Sequence, residues 1–258
     1  MERKLAIITG SASGVGSAAA VQLAATGAWN VVINYTKSDV EAKATVATCE
    51  KLGAEVLCIR ADVSDDAQCR DLVLQCVDRF GRIDALINNA GTTKFCDFGN
   101  LDGLTKEDFF HLYGVNVVGA YQMARSAFPH LRKVGGSVVN NASVAALTGM
   151  GSSIAYAASK GAMVTLTLSL AHALGPEVRV NAVCPGFIQG RWTRGFLGHR
   201  YEDVKNQVEE GAALKVTATN KDVAEALVYF ATQAKIITGE VMIVDGGATL
   251  KQVTLGRR

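Results

Sequence analysis

The 258-residue sequence has little proline, few aromatic residues and almost no excess charge. It contains three prolines, 7% aromatic residues, and 26 basic against 24 acidic residues, which leaves a net charge of +2. No nucleic-acid partner is expected, because a nucleic-acid binder carries a basic stripe. With 49% hydrophobic residues and no low-complexity tract, the chain has ample apolar material for one large core.

Long apolar runs are also missing. The run Leu5–Ile8 near the amino terminus is too short for the core of a signal peptide. No later segment approaches the roughly 20 apolar residues that cross a membrane. We therefore expect a soluble, cytoplasmic protein with no membrane partner.

The six cysteines show no pairing pattern. They lie at positions 49, 58, 69, 76, 96 and 184, without a CxxC pair or histidines at metal-ligand spacing. Cys58 and Cys184 fall in strand-like runs, where a thiol acts as a small hydrophobic group. We expect reduced structural thiols and no metal site.

What the sequence does contain is an alternation of short β-branched runs with longer amphipathic segments. Most of the runs lack period-two alternation, which is typical of strands buried on both faces of a parallel sheet. The predicted strands are residues 4–9, 29–34, 55–59, 83–88, 137–141, 178–184 and 240–244, and the predicted helices are 14–26, 39–52, 65–80, 105–133, 154–174 and 220–233. This order predicts an α/β fold: a Rossmann-type, doubly wound, seven-stranded parallel sheet with helices on both faces, forming one domain over residues 1–258.

Tyr156 and Lys160 are four residues apart in a predicted helix, which places both side chains on one helical face. A free phenol has a pKa near ~10, and a neighbouring cation favours the phenolate. Ser143 lies just past the fifth predicted strand, so its hydroxyl can bond the same carbonyl oxygen that the tyrosine protonates. The group suits proton transfer at an oxygen while a hydride moves elsewhere.

A glycine-rich segment joins the first predicted strand to the first predicted helix. It reads Thr9-Gly10-Ser11-Ala12-Ser13-Gly14-Val15-Gly16. Glycines let the backbone approach a pyrophosphate, and the helix amino terminus offers N–H groups and positive dipole charge to it.

These motifs, in this order and spacing, resemble the single-domain short-chain dehydrogenases/reductases over essentially the whole chain. The resemblance rests on the motif at residues 9–16, Asn88-Asn89-Ala90-Gly91, Asn116, Ser143, Tyr156, Lys160, Pro185-Gly186 and Asp245-Gly246-Gly247. It implies an oxidoreductase that transfers a hydride between a nicotinamide and a ketone or secondary alcohol.

The resemblance also implies roles for matching residues. Tyr156 is the general acid/base, Lys160 lowers its pKa and binds the nicotinamide ribose, and Ser143 polarises the substrate carbonyl. Asn116 holds a water that extends the proton relay. The residues implied to contact or line the cofactor are Gly10, Ser11, Ser13, Gly14, Val15, Gly16, Tyr35, Lys37, Ser38, Asp62, Val63, Asn88, Asn89, Ala90, Gly91, Tyr156, Lys160, Pro185, Gly186 and Ile188.

The end of the second predicted strand indicates which cofactor is used. Relatives that prefer NAD place an acidic residue there to bond the ribose 2′-hydroxyl. This chain reads Asn34-Tyr35-Thr36-Lys37-Ser38, where Lys37 and Ser38 can bind a 2′-phosphate. We therefore expect NADP(H) to be favoured over NAD(H).

Two positions depart from the family pattern. Gly190 stands where many members have a threonine that contacts the nicotinamide amide or the diphosphate; Thr193 is near enough to replace it if the loop bulges. The segment Asn140-Asn141-Ala142 is more polar than the usual apolar residues before Ser143.

Residues 187–219, an insertion after the sixth predicted strand, are expected to form a substrate lid. Arg191, Arg194 and Arg200 there either recognise an anionic substrate or form a solvated face, with Trp192 and Phe196 as packing anchors.

We expect the substrate to be a small carbonyl or alcohol compound, a class that includes acyl thioesters. The 3-oxoacyl-[acyl-carrier-protein] reductases are the branch that this chain resembles best. Those enzymes dock their carrier protein with two arginines; this chain has His172 at the position of one, and the other falls near Arg132 or Lys133. Sugar or small-alcohol dehydrogenases remain open. A non-catalytic nucleotide-binding regulator and an extended-branch lyase or epimerase are less favoured alternatives.

The resemblance also predicts a homotetramer, since the family often buries two helices against another subunit. Candidate contact residues on the fourth and fifth predicted helices are Phe109, Phe110, Tyr113, Val117, Met123, Met163, Leu166 and Leu170.

Overall fold

The computed structural model describes residues 3–250 and contains a seven-stranded, wholly parallel sheet. The strands of the chain are β1 (Lys4–Ile8), β2 (Trp29–Tyr35), β3 (Val56–Arg60), β4 (Ala85–Asn88), β5 (Ser137–Asn141), β6 (Arg179–Pro185), β7 (Ile188–Gln189), β8 (Ala218–Thr219) and β9 (Val241–Val244). The main sheet has the order β3-β2-β1-β4-β5-β6-β9, and β7 pairs with β8 in a second, two-stranded sheet. This confirms the predicted doubly wound fold.

Strand order reverses between β1 and β4, which pair in parallel with Ala6 opposite Ala85. The chain winds from β1 outward to β3 and then returns to continue from β4 to β9. In a sheet of this kind the crevice for a ligand opens at the carboxyl ends of the strands beside the reversal.

Helices cover both faces of the sheet. They are α1 (Gly14–Ala25), α2 (Asp39–Lys51), α3 (Asp66–Phe80), α4 (Lys106–Tyr113), α5 (Gly119–Leu131), α6 (Ala145–Thr148), α7 (Ile154–Leu174), α8 (Arg191–Leu197), α9 (Tyr201–Gly211) and α10 (Asn220–Thr232). One core cluster contains Ala6, Ile8 and Leu23, and a second contains Leu5, Ile7 and Leu72. Alternate residues of β1 therefore enter opposite cores, which explains its uninterrupted apolar sequence.

The predicted helix 105–133 forms as one helical run over residues 106–131 that contains a π-helical turn. A π-helical turn over Gly114–Val118 separates α4 from α5. The buried residue of this turn, Asn116, forms hydrogen bonds with Thr92 and Ser159. Such turns are frequent at functional sites.

Helix α7 has the predicted bounds, residues 154–174, and is strongly apolar. It has 21 residues and a mean hydropathy of 1.2, so by length and composition alone it could cross a membrane. The helix instead packs against β6, α4 and α6. Of its most apolar window, 39% is buried inside the fold.

The six cysteines are free. Burial raises the pKa of the Cys49 thiol to about 11 and those of Cys69 and Cys76 to about 12, which keeps them protonated. Cys58 is an exception to the expected burial: it lies exposed on the edge strand β3. Residues 3–250 contain no cluster of three or more metal-binding side chains.

Two leucines on α3 test the packing. Leu72 is fully buried, whereas Leu74 is 56% exposed. We expect Leu72→Ala to lower the free energy of unfolding by ~2–5 kcal/mol, because it leaves a cavity in the core. Leu74→Ala, the matched control, should change it by less than ~1 kcal/mol in urea denaturation. Equal losses for the two variants would contradict the described packing.

Candidate active site

The glycine-rich loop after β1 is shaped by contacts that exclude side chains. Gly10 and Gly14 have φ values of +61° and +64°. A Cβ atom on Gly10 would lie 2.8 Å from the Ala90 Cα, and one on Gly16 would lie 2.5 Å from the Asn89 Nδ2. The loop is therefore pressed against the segment that follows β4.

The start of α1 fits a phosphate group. Ser13 occupies the N-cap position, but its side chain makes no capping hydrogen bond, and the first turn holds no acidic residue. Ser13 and Gly14 are exposed, while Val15 and Gly16 are buried beneath them. Backbone N–H groups and the positive end of the helix dipole thus face solvent, which is the arrangement that binds a diphosphate.

Ser11 and Asn34 hold this loop from below. The Ser11 hydroxyl donates to the Ile8 carbonyl at 2.7 Å, and its amide donates to the Asn34 carbonyl at 2.9 Å. The buried Asn34 side chain accepts from the Gly10 amide at 3.1 Å and donates to the Ala61 carbonyl at 2.9 Å. Ser11 therefore shapes the loop through internal bonds, whereas Ser13 presents its side chain to solvent.

Asn89 clamps the same loop from the side. Its Nδ2 donates to the carbonyls of Thr9 and Gly10 at 3.0 and 2.9 Å. The Thr9 hydroxyl accepts from the amides of Asn89 and Ala90, both at 3.0 Å. The segment Asn88–Gly91 thus lines the crevice where the sequence predicted it.

Tyr156 lies in the first turn of α7, which begins after Ser153. The Ser153 hydroxyl accepts from the Tyr156 amide at 3.2 Å and fixes the start of the helix. Burial raises the pKa of the Tyr156 phenol to about 12, and a hydrogen bond with Ser143 opposes that rise. The structure thus brings Tyr156 and Ser143 together.

Lys160 is 5% exposed and points toward the end of β5. Its Nζ donates to the Asn141 carbonyl at 2.7 Å and lies 5.8 Å from the centre of the Tyr156 ring. Burial lowers the pKa of Lys160 to about 8. We expected Lys160 to lower the pKa of Tyr156. In the structure the pKa of Tyr156 is raised instead, because burial of the phenol is the largest influence on it.

Asn116 reaches the same region from the π-helical turn. Its side chain exchanges two hydrogen bonds with Thr92, at 2.8 and 3.0 Å, and donates to the Ser159 hydroxyl at 2.9 Å. A Cβ on Gly91 would lie 3.4 Å from the Asn116 Oδ1 and 3.7 Å from the Lys160 Nζ. Asn116, Gly91 and Lys160 are therefore neighbours.

Asn141 and Cys184 are functional candidates that the sequence reasoning missed. The Asn141 Nδ2 donates to the Asn89 Oδ1 at 2.9 Å, while its backbone carbonyl binds Lys160. Its Oδ1 is buried without a partner among the described residues. The only signal for Asn141 was the unusual polarity of residues 140–142.

Cys184 lies fully buried beneath the site, close enough to Tyr156 and Lys160 to influence the pKa of each.

The adenosine side of the crevice is formed after β2 and β3. The Tyr35 hydroxyl donates to Asp39, which also pairs with Lys43 at 2.7 Å. Lys37 is exposed and Ser38 is the N-cap of α2. Asp62 turns its carboxylate to the Ser64 amide and hydroxyl, and Val63 packs against Gly119, where a Cβ would lie 2.7 Å away.

The segment after β6 closes the site opposite the glycine loop. The Pro185 carbonyl accepts from the Val144 amide, and the Gly186 amide donates to the Val244 carbonyl, both at 3.0 Å. Ile188 lies in β7, and its carbonyl accepts from the Thr193 hydroxyl at 2.6 Å. Thr193 is 8% exposed, so its hydroxyl is used in this internal bond and is not presented to the crevice.

Known proteins are similar to this chain in both sequence and structure. The model of the family described as enoyl-(acyl carrier protein) reductase matches residues 10–249. The protein named ketoacyl reductase 2 of the granaticin polyketide synthase of Streptomyces violaceoruber is 40% identical, with 96% of this chain and 97% of the relative covered.

Two solved structures are also similar. One, described as a short-chain dehydrogenase/reductase from Burkholderia xenovorans, is 40% identical, with a TM-score of 0.90 over 97% of this chain and 100% of the other. Levodione reductase is 29% identical, with a TM-score of 0.87 over 95% and 96% of the two chains.

The buried Lys160 makes folding depend on pH. Its pKa is about 8 in the folded protein against 10.5 when unfolded, so below pH 8 folding must bury a charged lysine. Between pH 8 and 10.5 the unfolded state binds more protons, and the stability of the wild type relative to Lys160→Met should rise, by at most ~3 kcal/mol. Urea denaturation of both proteins across this range measures the difference. A constant difference would contradict the lowered pKa.

Proposed function

Given that the chain belongs to the short-chain dehydrogenase/reductase family, we propose that it uses NADPH to reduce a ketone through the Tyr156–Lys160 pair. The family membership makes it an NAD(P)-dependent oxidoreductase of alcohols and ketones. The observation that carries the proposal is the placement of Tyr156, Ser143 and Lys160 at the same sheet edge as the phosphate-binding start of α1.

The protein's own part in the reaction is to hold and supply a proton. Bound nicotinamide supplies the hydride, and the chain orients it with the glycine loop and Lys160. Because the Tyr156 pKa is about 12, the phenol is protonated at neutral pH and can donate to the oxygen of a ketone. Ser143 holds that oxygen by a second hydrogen bond.

Charged groups at the start of α2 support a preference for NADP(H). Lys37 is free of the ion pairs described there, and Ser38 offers a hydroxyl at the helix N-cap. The carboxylate of Asp39, the first residue of α2, is already bonded to Tyr35 and paired with Lys43. A 2′-phosphate would therefore meet an available cation and few free anions.

Two phenylalanines suggest an apolar substrate. Phe196 of α8 stacks on Phe95, with ring centres 5.7 Å apart and planes inclined by 20°. Phe95 is held near the catalytic helix, because the next amide, that of Cys96, donates to the Ser152 carbonyl at 2.9 Å. The lid, which we propose to be residues 187–219, thus meets the rim of the site through aromatic rings. We propose a ketone with a bulky apolar group.

A carrier-bound 3-oxoacyl substrate is less well supported, because within one chain the predicted docking positions lie far from Tyr156. His172 lies about 24 Å beyond Tyr156 along α7, at roughly 1.5 Å per residue. Arg132 follows the end of α5 and covers the Phe128 ring. The predicted docking positions therefore lie toward the other edge of the sheet.

We also propose a cytoplasmic homotetramer with one catalytic domain per chain. Phe110, Val118, Tyr121 and Leu168 are 42–64% exposed on α4, the π-helical turn, α5 and α7. Met123, Met163 and Leu170, predicted as contact residues, are instead buried in the core. The exposed apolar side chains are the ones that a subunit contact would cover.

Tyr156→Phe tests the proton donor. We expect kcat/KM for ketone reduction to fall ~10²–10⁴-fold, because the hydroxyl is lost, while NADPH still binds. The measurement is oxidation of NADPH, then NADH, across a panel of ketones, with cofactor binding followed by fluorescence. Unimpaired reduction by the variant would refute the mechanism, and cofactor binding by the wild type without turnover of any ketone would favour a regulator.

Phe196→Ala tests the apolar substrate. Loss of a stacked ring that contributes ~0.5–1.5 kcal/mol should raise KM about 2–10-fold for aryl or cyclic ketones, with little change for short aliphatic ketones. Trp192→Ala, on the same helix and 52% exposed, is the control. The substrate proposal fails if the two ketone classes are affected equally.

A further inference from the structure

We propose that Arg191 binds a phosphate of the coenzyme and so fastens the lid over it. Arg191 is the first residue of α8 and reaches back across the crevice to the two loops that face the coenzyme. The inference rests on the proposed use of a nicotinamide dinucleotide by this site, and it assigns a binding role to a residue outside the sequence-predicted cofactor set.

The geometry places the guanidinium between two coenzyme-binding segments. Its Nη1 lies 2.5 Å from the Glu41 Oε1 in the first turn of α2, and its Nη2 donates to the Ser13 Oγ at 3.4 Å. Ser13 is the N-cap of α1, where the structure fits a diphosphate. A phosphate oxygen at this N-cap would therefore lie within reach of the same guanidinium.

The lid offers few other donors at this point. Gly190 has no side chain, and the Thr193 hydroxyl is bonded to the Ile188 carbonyl. Asn220 lies between the lid and the loop: its side chain would be 3.5 Å from a Cβ on Gly190 and 3.8 Å from one on Gly14. Arg191 is thus the cation that the lid contributes at the phosphate-binding start of α1.

The contact with Glu41 is one that a phosphate can replace. The Arg191 and Glu41 side chains are 70% and 37% exposed, and exposed ion pairs add little to stability. A phosphate offers more charge and several acceptor oxygens to a planar guanidinium. Glu41 therefore competes with the coenzyme for Arg191, so its removal should strengthen coenzyme binding.

Arg194 provides a matched control on the same helix. It pairs with Glu202 at 3.1 Å and lies 3.9 Å from the centre of the Tyr201 ring. Both of its contacts belong to the lid itself. Arg191→Gln and Arg194→Gln remove the same charge from α8, and only the first removes it from the crevice.

The test is equilibrium binding of NADPH and of NADH, each followed by fluorescence of the reduced nicotinamide. We expect Arg191→Gln to raise the Kd about tenfold, Arg194→Gln to leave it within about twofold, and Glu41→Gln to lower it, with unchanged thermal unfolding. The weakening should shrink at high salt.

The two cofactors distinguish the phosphates. Equal weakening of NADH and NADPH assigns Arg191 to the diphosphate, which the Ser13 contact favours; weakening of NADPH alone assigns it to the 2′-phosphate. Unchanged binding in Arg191→Gln, or the same loss in Arg194→Gln, overturns the inference and leaves the proposed function intact. A wild-type protein that binds neither cofactor overturns both.

Discussion

The bond from the Lys160 ammonium to the Asn141 carbonyl is the contact on which the site depends. It joins the catalytic helix α7 to the end of β5 and keeps a cation buried at 5% exposure. An isolated buried charge is unfavourable, so its hydrogen-bonded position is narrowly defined. The Asn141 side chain then bonds Asn89, which clamps the glycine loop. One chain of contacts therefore links the proton-transfer group to the phosphate-binding loop.

The sheet topology explains why these groups meet. All seven strands run parallel, and their order reverses between β1 and β4. The glycine loop, the Asn88–Gly91 segment and Ser143 each follow a strand end near that reversal. Residues 187–219 add groups from the far side, where Phe196 stacks on Phe95 and Arg191 donates to Ser13. In the proposed mechanism the rigid strands position the reacting groups, and this segment selects substrate and coenzyme.

Much of this could be predicted from the sequence, because the signals are local. Buried strands, the turn from β1 to α1 and the spacing of Tyr156 and Lys160 depend on neighbouring residues. The roles of Asn34, Asn141 and Cys184 depend on partners far away in the chain, so a local pattern does not define them. The polarity of residues 140–142 marks Asn141 as unusual, but it does not indicate the partners of this residue. The π-helical turn likewise contains Asn116, whose side chain bonds the distant residues Thr92 and Ser159. Burial also reversed the expected direction of the Tyr156 pKa.

The most direct test of this account is a measurement of the Lys160 pKa itself. Protein with ¹³Cε-labelled lysine, titrated by NMR, should show one resonance with a midpoint near pH 8, since burial lowers the pKa to about that value. That resonance should be missing in Lys160→Met. If every lysine instead titrates near its ordinary value of ~10.4, the ammonium is not held in the buried position described, and the account is contradicted.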